Sequence, residues 1–133
     1  MAAQRTAVNP VDWSLELGFN QGELVTGATR TLYCSGQTAM NAEGKPEHPD
    51  DLAAQLALSL DNVEAVLTEA GMTLTNVVRL NVYTTDVDLL FQHYGVLAAR
   101  LGAVGAAPST TMLGVTRLAV PGQLIELEAT AVD

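Results

Sequence analysis

Cysteine, lysine and tryptophan each occur once in this 133-residue chain, and aromatic residues make up only 5% of it. Each scarcity excludes something. A single cysteine, Cys34, makes no internal disulfide, so no disulfide framework holds the fold; this fits a reducing compartment, and Cys34 reads as a small buried apolar residue of a strand. The one lysine, Lys45, is accompanied by arginines that stand singly at 5, 30, 79, 100 and 117. A surface that tracks phosphates needs clustered cations, so no nucleic-acid partner is expected. Fifteen acidic residues against six basic ones give a net charge of −9, a balance that serves solubility. There is no apolar run of about 18 residues, hence no expected membrane span. The polar stretch Met1–Pro10 lacks the apolar segment of a secretory signal. A cytoplasmic protein is expected.

The signatures of common chemistries are also missing. His48 and His93 are far apart and do not have zinc-ligand spacing with Cys34. Ser35 lies outside any G-x-S-x-G elbow, and there is neither a phosphate loop nor a G-x-G-x-x-G fingerprint. No metal and no cofactor are expected.

What is present is a chain that is 48% apolar, enough for one domain with its own core. Residues 1–17 show no clear period and are expected to form an N-terminal arm, packed by Trp13 and Leu15; residues 18–133 form the domain. Glu23–Thr26 and Thr31–Ser35 are rich in β-formers, and Gly27-Ala-Thr-Arg30 between them predicts a hairpin. Asn41–Pro49 is a loop. Asp50 or Asp51 then caps a helix whose stripe is Leu52, Leu56, Leu60, Val63, Leu67 and Ala70, with Gly71 at its end. Val77–Tyr83 is a strand. A second helix follows, with stripe Val87, Leu90, Tyr94, Leu97 and Leu101, and Gly102 is expected to stop it. Ser109–Val115 and Leu124–Val132 are the last strands. The order β-β-α-β-α-β-β predicts an α+β fold: one mixed sheet with two helices on one face. The other face carries Leu124, Glu126, Glu128 and Thr130 and is suited to a subunit interface. A carboxylate placed there loses water, which should raise its pKa and suit it to act as a general base; Glu126 is the candidate, against the plainer reading of Glu126 and Glu128 as solvated acids.

Five short motifs in order carry a resemblance. Cys34-Ser-Gly-Gln37; Gln55 with Leu60-Asp-Asn-Val-Glu-Ala-Val66 and Ala70-Gly71; Val77-Val-Arg-Leu-Asn-Val-Tyr83 with Asp86; Pro108; and Val115-Thr-Arg-Leu118 with Ile125-Glu-Leu-Glu128 together resemble the Rid (YjgF) family of reactive-intermediate deaminases, from about Gly18 to the end. The resemblance implies a chorismate-mutase-like fold, a homotrimer and small-molecule clefts between neighbouring subunits. It also implies cofactor-free hydrolysis of enamines and imines to a keto acid and ammonia. By position, the family's water-positioning glutamate falls on Glu126, and Ser35 and Gly36 fall on its binding strand. The arginine that grips the substrate carboxylate falls on Thr110, which carries no charge. The family's tyrosine falls on Phe19, and an asparagine of the second helix falls near Phe91. Two functions are therefore open. One is a hydrolase of C=N compounds using Glu126, with Thr110 and Ser35 nearby. The other is a non-catalytic trimer that holds a small metabolite, favoured if Phe19, Phe91 and Met112 fill the cleft. A nuclease role is disfavoured by the charge.

Overall fold

The two stripes of apolar residues at helical spacing do form helices. In the computed structural model, which describes residues 3–133, helix α1 spans Leu52–Glu69 and helix α2 spans Val87–Ala103. Asp51 caps α1 by accepting from the Ala54 amide at 3.0 Å, and Asp86 caps α2 through Leu89 at the same distance. Leu52, Leu56, Leu60, Val63 and Leu67 of α1 are buried, as are Leu90, Leu97 and Leu101 of α2. The end of α2 departs from expectation. Gly102 does not stop the helix but lies in its last turn. The stop is Gly105 (φ 68°), after which the Ala106 amide closes on the Leu101 carbonyl at 2.9 Å. A left-handed residue is required one place beyond the cap, where Gly105 stands and Gly102 does not.

Among the described residues there are six strands: β1 (Gln4–Val8), β2 (Gly22–Thr26), β3 (Thr31–Gln37), β4 (Val77–Thr84), β5 (Ser109–Gly114) and β6 (Ile125–Val132). Four make one mixed sheet in the order β3-β6-β4-β5, with β4 and β5 parallel and the other neighbours antiparallel. Leu80 and Val82 of β4 and Ile125, Leu127, Ala129 and Ala131 of β6 join the helix stripes in a single core. This is the α+β arrangement with both helices on one face. Alternation along β4 and β6 sends Arg79, Asn81, Tyr83, Glu126, Glu128 and Thr130 to the opposite face.

The expected hairpin between residues 23–26 and 31–35 is not formed. Instead β2 pairs antiparallel with β1, inside the expected arm. Met1 and Ala2 of that arm lie outside the described residues. The physical reason is competition for partners. Arg5 of β1 bridges to Glu23 of β2 at 3.0 Å and donates to the Val77 carbonyl at 3.1 Å, which ties the β1–β2 ribbon to the start of β4. Thr29 and Arg30, at the expected turn, are taken up by Asp133, whose carbonyl accepts from both amides. Trp13 and Leu15 are not buried against the domain: Trp13 is 59% exposed and meets Phe19 edge-on, and Leu15 is exposed too, while Ser14 is the buried residue of that turn.

Two buried glutamines fix the long connections. Gln55 of α1 donates to the His48 and Gly122 carbonyls (2.9 and 3.0 Å) and accepts from the Leu124 amide at 2.7 Å. Gln123 accepts from the Ala39 amide at 3.0 Å. The backbone polar groups of segments without regular structure are thereby satisfied inside the protein. No helix of the described residues is long and apolar enough to cross a membrane.

Candidate functional site

The expected site residues fall into two groups on opposite faces of the sheet. The first group is Ser35, Gly36 and Glu126. The register of β3 against β6 passes from Cys34–Ala129 to Gln37–Leu127, so β3 carries one extra residue, a bulge containing Ser35 and Gly36. The bulge turns its backbone towards Glu126. A Cβ added at Gly36 would stand 2.7 Å from Glu126 Oε1, so only glycine lets the carboxylate lie across the chain here. Glu126 is half-buried, and among the described residues its carboxylate has no hydrogen-bond partner within the chain.

Two residues along the same strand and face, Glu128 behaves differently. It accepts from Asn81 Nδ2 and from the Tyr83 hydroxyl, both at 2.9 Å. These donors, Asn81 first, favour the charged form and hold the Glu128 carboxyl below its ordinary range. The same bond pushes the Tyr83 phenol up, because losing its proton would place a second negative charge against the carboxylate. The desolvation expected to raise a carboxyl on this face is thus outweighed at Glu128 by hydrogen bonding.

The second group is Phe19, Phe91, Thr110 and Met112. Together with Leu17 and Tyr94 they line a cavity of about 310 Å³ between β5, α2 and the turn Trp13–Leu17. Thr110 pairs with Leu80, a core residue of β4, and so points to the helix side. Glu126 pairs with Tyr83 and points to the open side. The two lie two strands apart, roughly 10 Å laterally. Thr110 is therefore not beside Glu126 within one chain. The three aromatic and sulfur-bearing side chains line the cavity and leave it open, and Phe91 is 62% exposed.

The hydroxyls around this cavity are already committed. Thr110 Oγ1 donates to the Pro108 carbonyl at 2.8 Å, and the Tyr94 hydroxyl donates to the Leu17 carbonyl at 2.8 Å. Burial pushes the Tyr94 phenol up, which keeps it protonated. The sequence reading puts Tyr94 in the core stripe of the second helix and passes over Leu17, although Tyr94 stands three residues after Phe91 and hence on the same helix face. Cys34 is buried, and burial raises its thiol, which makes it a core residue and not a nucleophile. Among the described residues, no group of three or more His, Cys, Asp or Glu side chains is placed to hold a metal.

Comparison with known proteins gives consistent matches. Residues 17–133 match the family model described as Endoribonuclease L-PSP. The fold is similar to that of YyfB from Yersinia pestis, a protein of unknown function of the conserved Rid family, with a TM-score of 0.85 and 36% identity over 97% of this chain and 98% of that one. The sequence is 28% identical to the RutC family protein YjgH of Escherichia coli, over 87% of each chain. It is 31% identical to a 2-iminobutanoate/2-iminopropanoate deaminase of Rattus norvegicus, over 70% of this chain and 74% of that one.

Proposed function

The chain belongs to the Rid/YjgF family, and from that premise we propose that it hydrolyses imines, enamines or related C=N compounds in clefts between the subunits of a homotrimer. The observation that carries this reading is the division of the site. A free carboxylate sits on the open sheet face and a ligand-sized cavity sits beside β5, and one chain cannot bring them together. When the open face of one copy meets the β5 side of the next, the two halves become one cleft. The rat relative, named as an imine deaminase, supports C=N hydrolysis as the reaction class.

In such a cleft Glu126 holds a water molecule and takes one of its protons as the oxygen attacks the C=N carbon. The carbinolamine then collapses to a carbonyl compound and ammonia, with the proton returned to the leaving nitrogen. Glu126 suits this role because its lone pairs are free, whereas those of Glu128 are engaged. No cofactor takes part. The reducing cytoplasm fits the lone buried thiol, and the net charge of −9 disfavours RNA as a substrate.

The departure lies in substrate choice. Thr110 stands where the family's arginine grips a carboxylate, and its one proton is committed to Pro108. Losing a buried bidentate cation costs about 2–5 kcal/mol of carboxylate binding. Substrates without a carboxylate are therefore preferred. A second reading, a trimer that binds a small metabolite without turnover, is favoured by the apolar lining of the cavity. The test is turnover of freshly generated 2-iminobutyrate and of an uncharged imine, with Glu126→Ala as control. Turnover of the uncharged imine that disappears in the variant is expected. No turnover above background on either compound would overturn the hydrolase and leave the binding protein.

A further inference from the structure

We infer that the cavity beside β5 binds an uncharged, ring-bearing group that donates a hydrogen bond, and that it discriminates against carboxylates. This rests on the proposed function only in taking the cavity as the substrate-holding half of the cleft.

The chemistry of the lining selects the ligand. Leu17, Phe19, Phe91 and Met112 offer apolar surface, and two of them offer aromatic faces. No charged side chain of this chain lines the cavity, so a carboxylate entering it leaves water without gaining a cation in return. The overall charge of −9 adds a repulsive field for anions. The two polar groups present, the hydroxyls of Thr110 and Tyr94, have spent their protons on the carbonyls of Pro108 and Leu17. What they still offer is lone pairs. A hydroxyl in this state accepts a further hydrogen bond at no loss, and donates one only by giving up its carbonyl. The complementary ligand thus presents an N–H or O–H to Thr110 or Tyr94 and an apolar body to the rings.

Size points the same way. A dry apolar cavity of about 150 Å³ holds benzene. The cavity here, at about 310 Å³, has room for a ring and a short arm. Its walls are also preset. Trp13 packs edge-on to Phe19, with ring centroids 6.0 Å apart and planes at 84°, and the Tyr94–Leu17 bond ties the turn carrying these residues to α2. Preset walls lower the ordering cost of binding.

Two probes with the same ring separate the possibilities: phenylacetamide (neutral, with N–H donors) and phenylacetate (anionic). Binding is read by calorimetry and by the fluorescence of Trp13, the single tryptophan, whose neighbour Phe19 lines the cavity. Phenylacetamide is expected to bind at least about tenfold tighter than phenylacetate, because the carboxylate finds no cation. Thr110→Arg is expected to reverse the order of phenylacetamide and phenylacetate. Thr110→Val, which keeps the shape and removes the acceptor, is expected to weaken phenylacetamide alone. Equal or tighter binding of phenylacetate to the wild type, or no binding of phenylacetamide, overturns the inference. Binding of phenylacetamide without turnover of any imine would sink the hydrolase and leave this inference standing; turnover of uncharged imines without the probe preference would do the reverse.

Discussion

On the open face of the sheet, Glu128 is held by Asn81 and Tyr83 while Glu126 is left free. Behind β5, the hydroxyls of Tyr94 and Thr110 are both spent on main-chain carbonyls and the walls are aromatic and aliphatic. One region keeps a charge ready; the other has none to offer. The difference separates two tasks that are often merged in one pocket. The open face supplies reactivity, and the cavity supplies recognition. Changes to one should leave the other measurable.

The largest effect concerns the core side of the same strand. Leu127→Ala should cost about 2–5 kcal/mol in denaturant unfolding, because Leu127 is fully buried, while its neighbour Glu126→Ala should change stability by about 0.5 kcal/mol or less. Equal losses would mean that Glu126 is a structural residue and that the contrast between the faces is wrong. Next is Gly36→Ala. The new methyl must displace the tip of the Glu126 side chain, and a shift of about 1 Å in a reacting group lowers turnover by about a hundredfold with the fold retained. An unchanged rate would show that the carboxylate does not act from this position. Thr110→Arg probes the cavity and should raise kcat/KM on 2-iminobutyrate by about tenfold or more. A folded variant with no gain would count against Glu126 being poised for this reaction.

The smallest effect tests the tied carboxylate. Donors from Asn81 and Tyr83 favour ionised Glu128, so its folded pKa lies below the unfolded one. The stability it contributes is present at neutral pH and is lost as the pH falls through that depressed value. Asn81→Ala should cost about 1 kcal/mol at neutral pH and much less in acid, as read from denaturant melts at both. A penalty that does not depend on pH would mean the cost is packing and not the hydrogen bond.

Much of the helical layer is legible in the sequence because apolar residues recur there with a period that nothing else imitates, and Asp51 and Asp86 announce both starts. The β1–β2 ribbon is not, because Gln4–Val8 is exposed along its whole length and shows no alternation. Its pairing is decided by Arg5, Glu23 and the carbonyl of Val77, which are distant in the chain. Gly102 and Gly105 look alike in the sequence, and only the length of the helix tells them apart. The candidate site is legible as a set of residues and not as a geometry. Which way Thr110 points depends on the register of β5 against β4, and the bulge at Ser35–Gly36 changes parity within β3. Neither is written in local composition.

The knot around Gln55 has a consequence for how this protein can vary. One side-chain amide, fully enclosed, fastens residues from both irregular stretches that flank the Gly36–Glu126 contact: His48 beyond the bulge, and Gly122 and Leu124 just before β6. Main-chain amides in such stretches ordinarily exchange with deuterium in seconds, but those of Ala39 and Leu124 should resist for as long as the domain stays folded. The carboxylate is thereby located from behind, through the helix layer, independently of what lines the cavity beside β5. Substitutions there can retune ligand preference step by step while the reacting group keeps its coordinates.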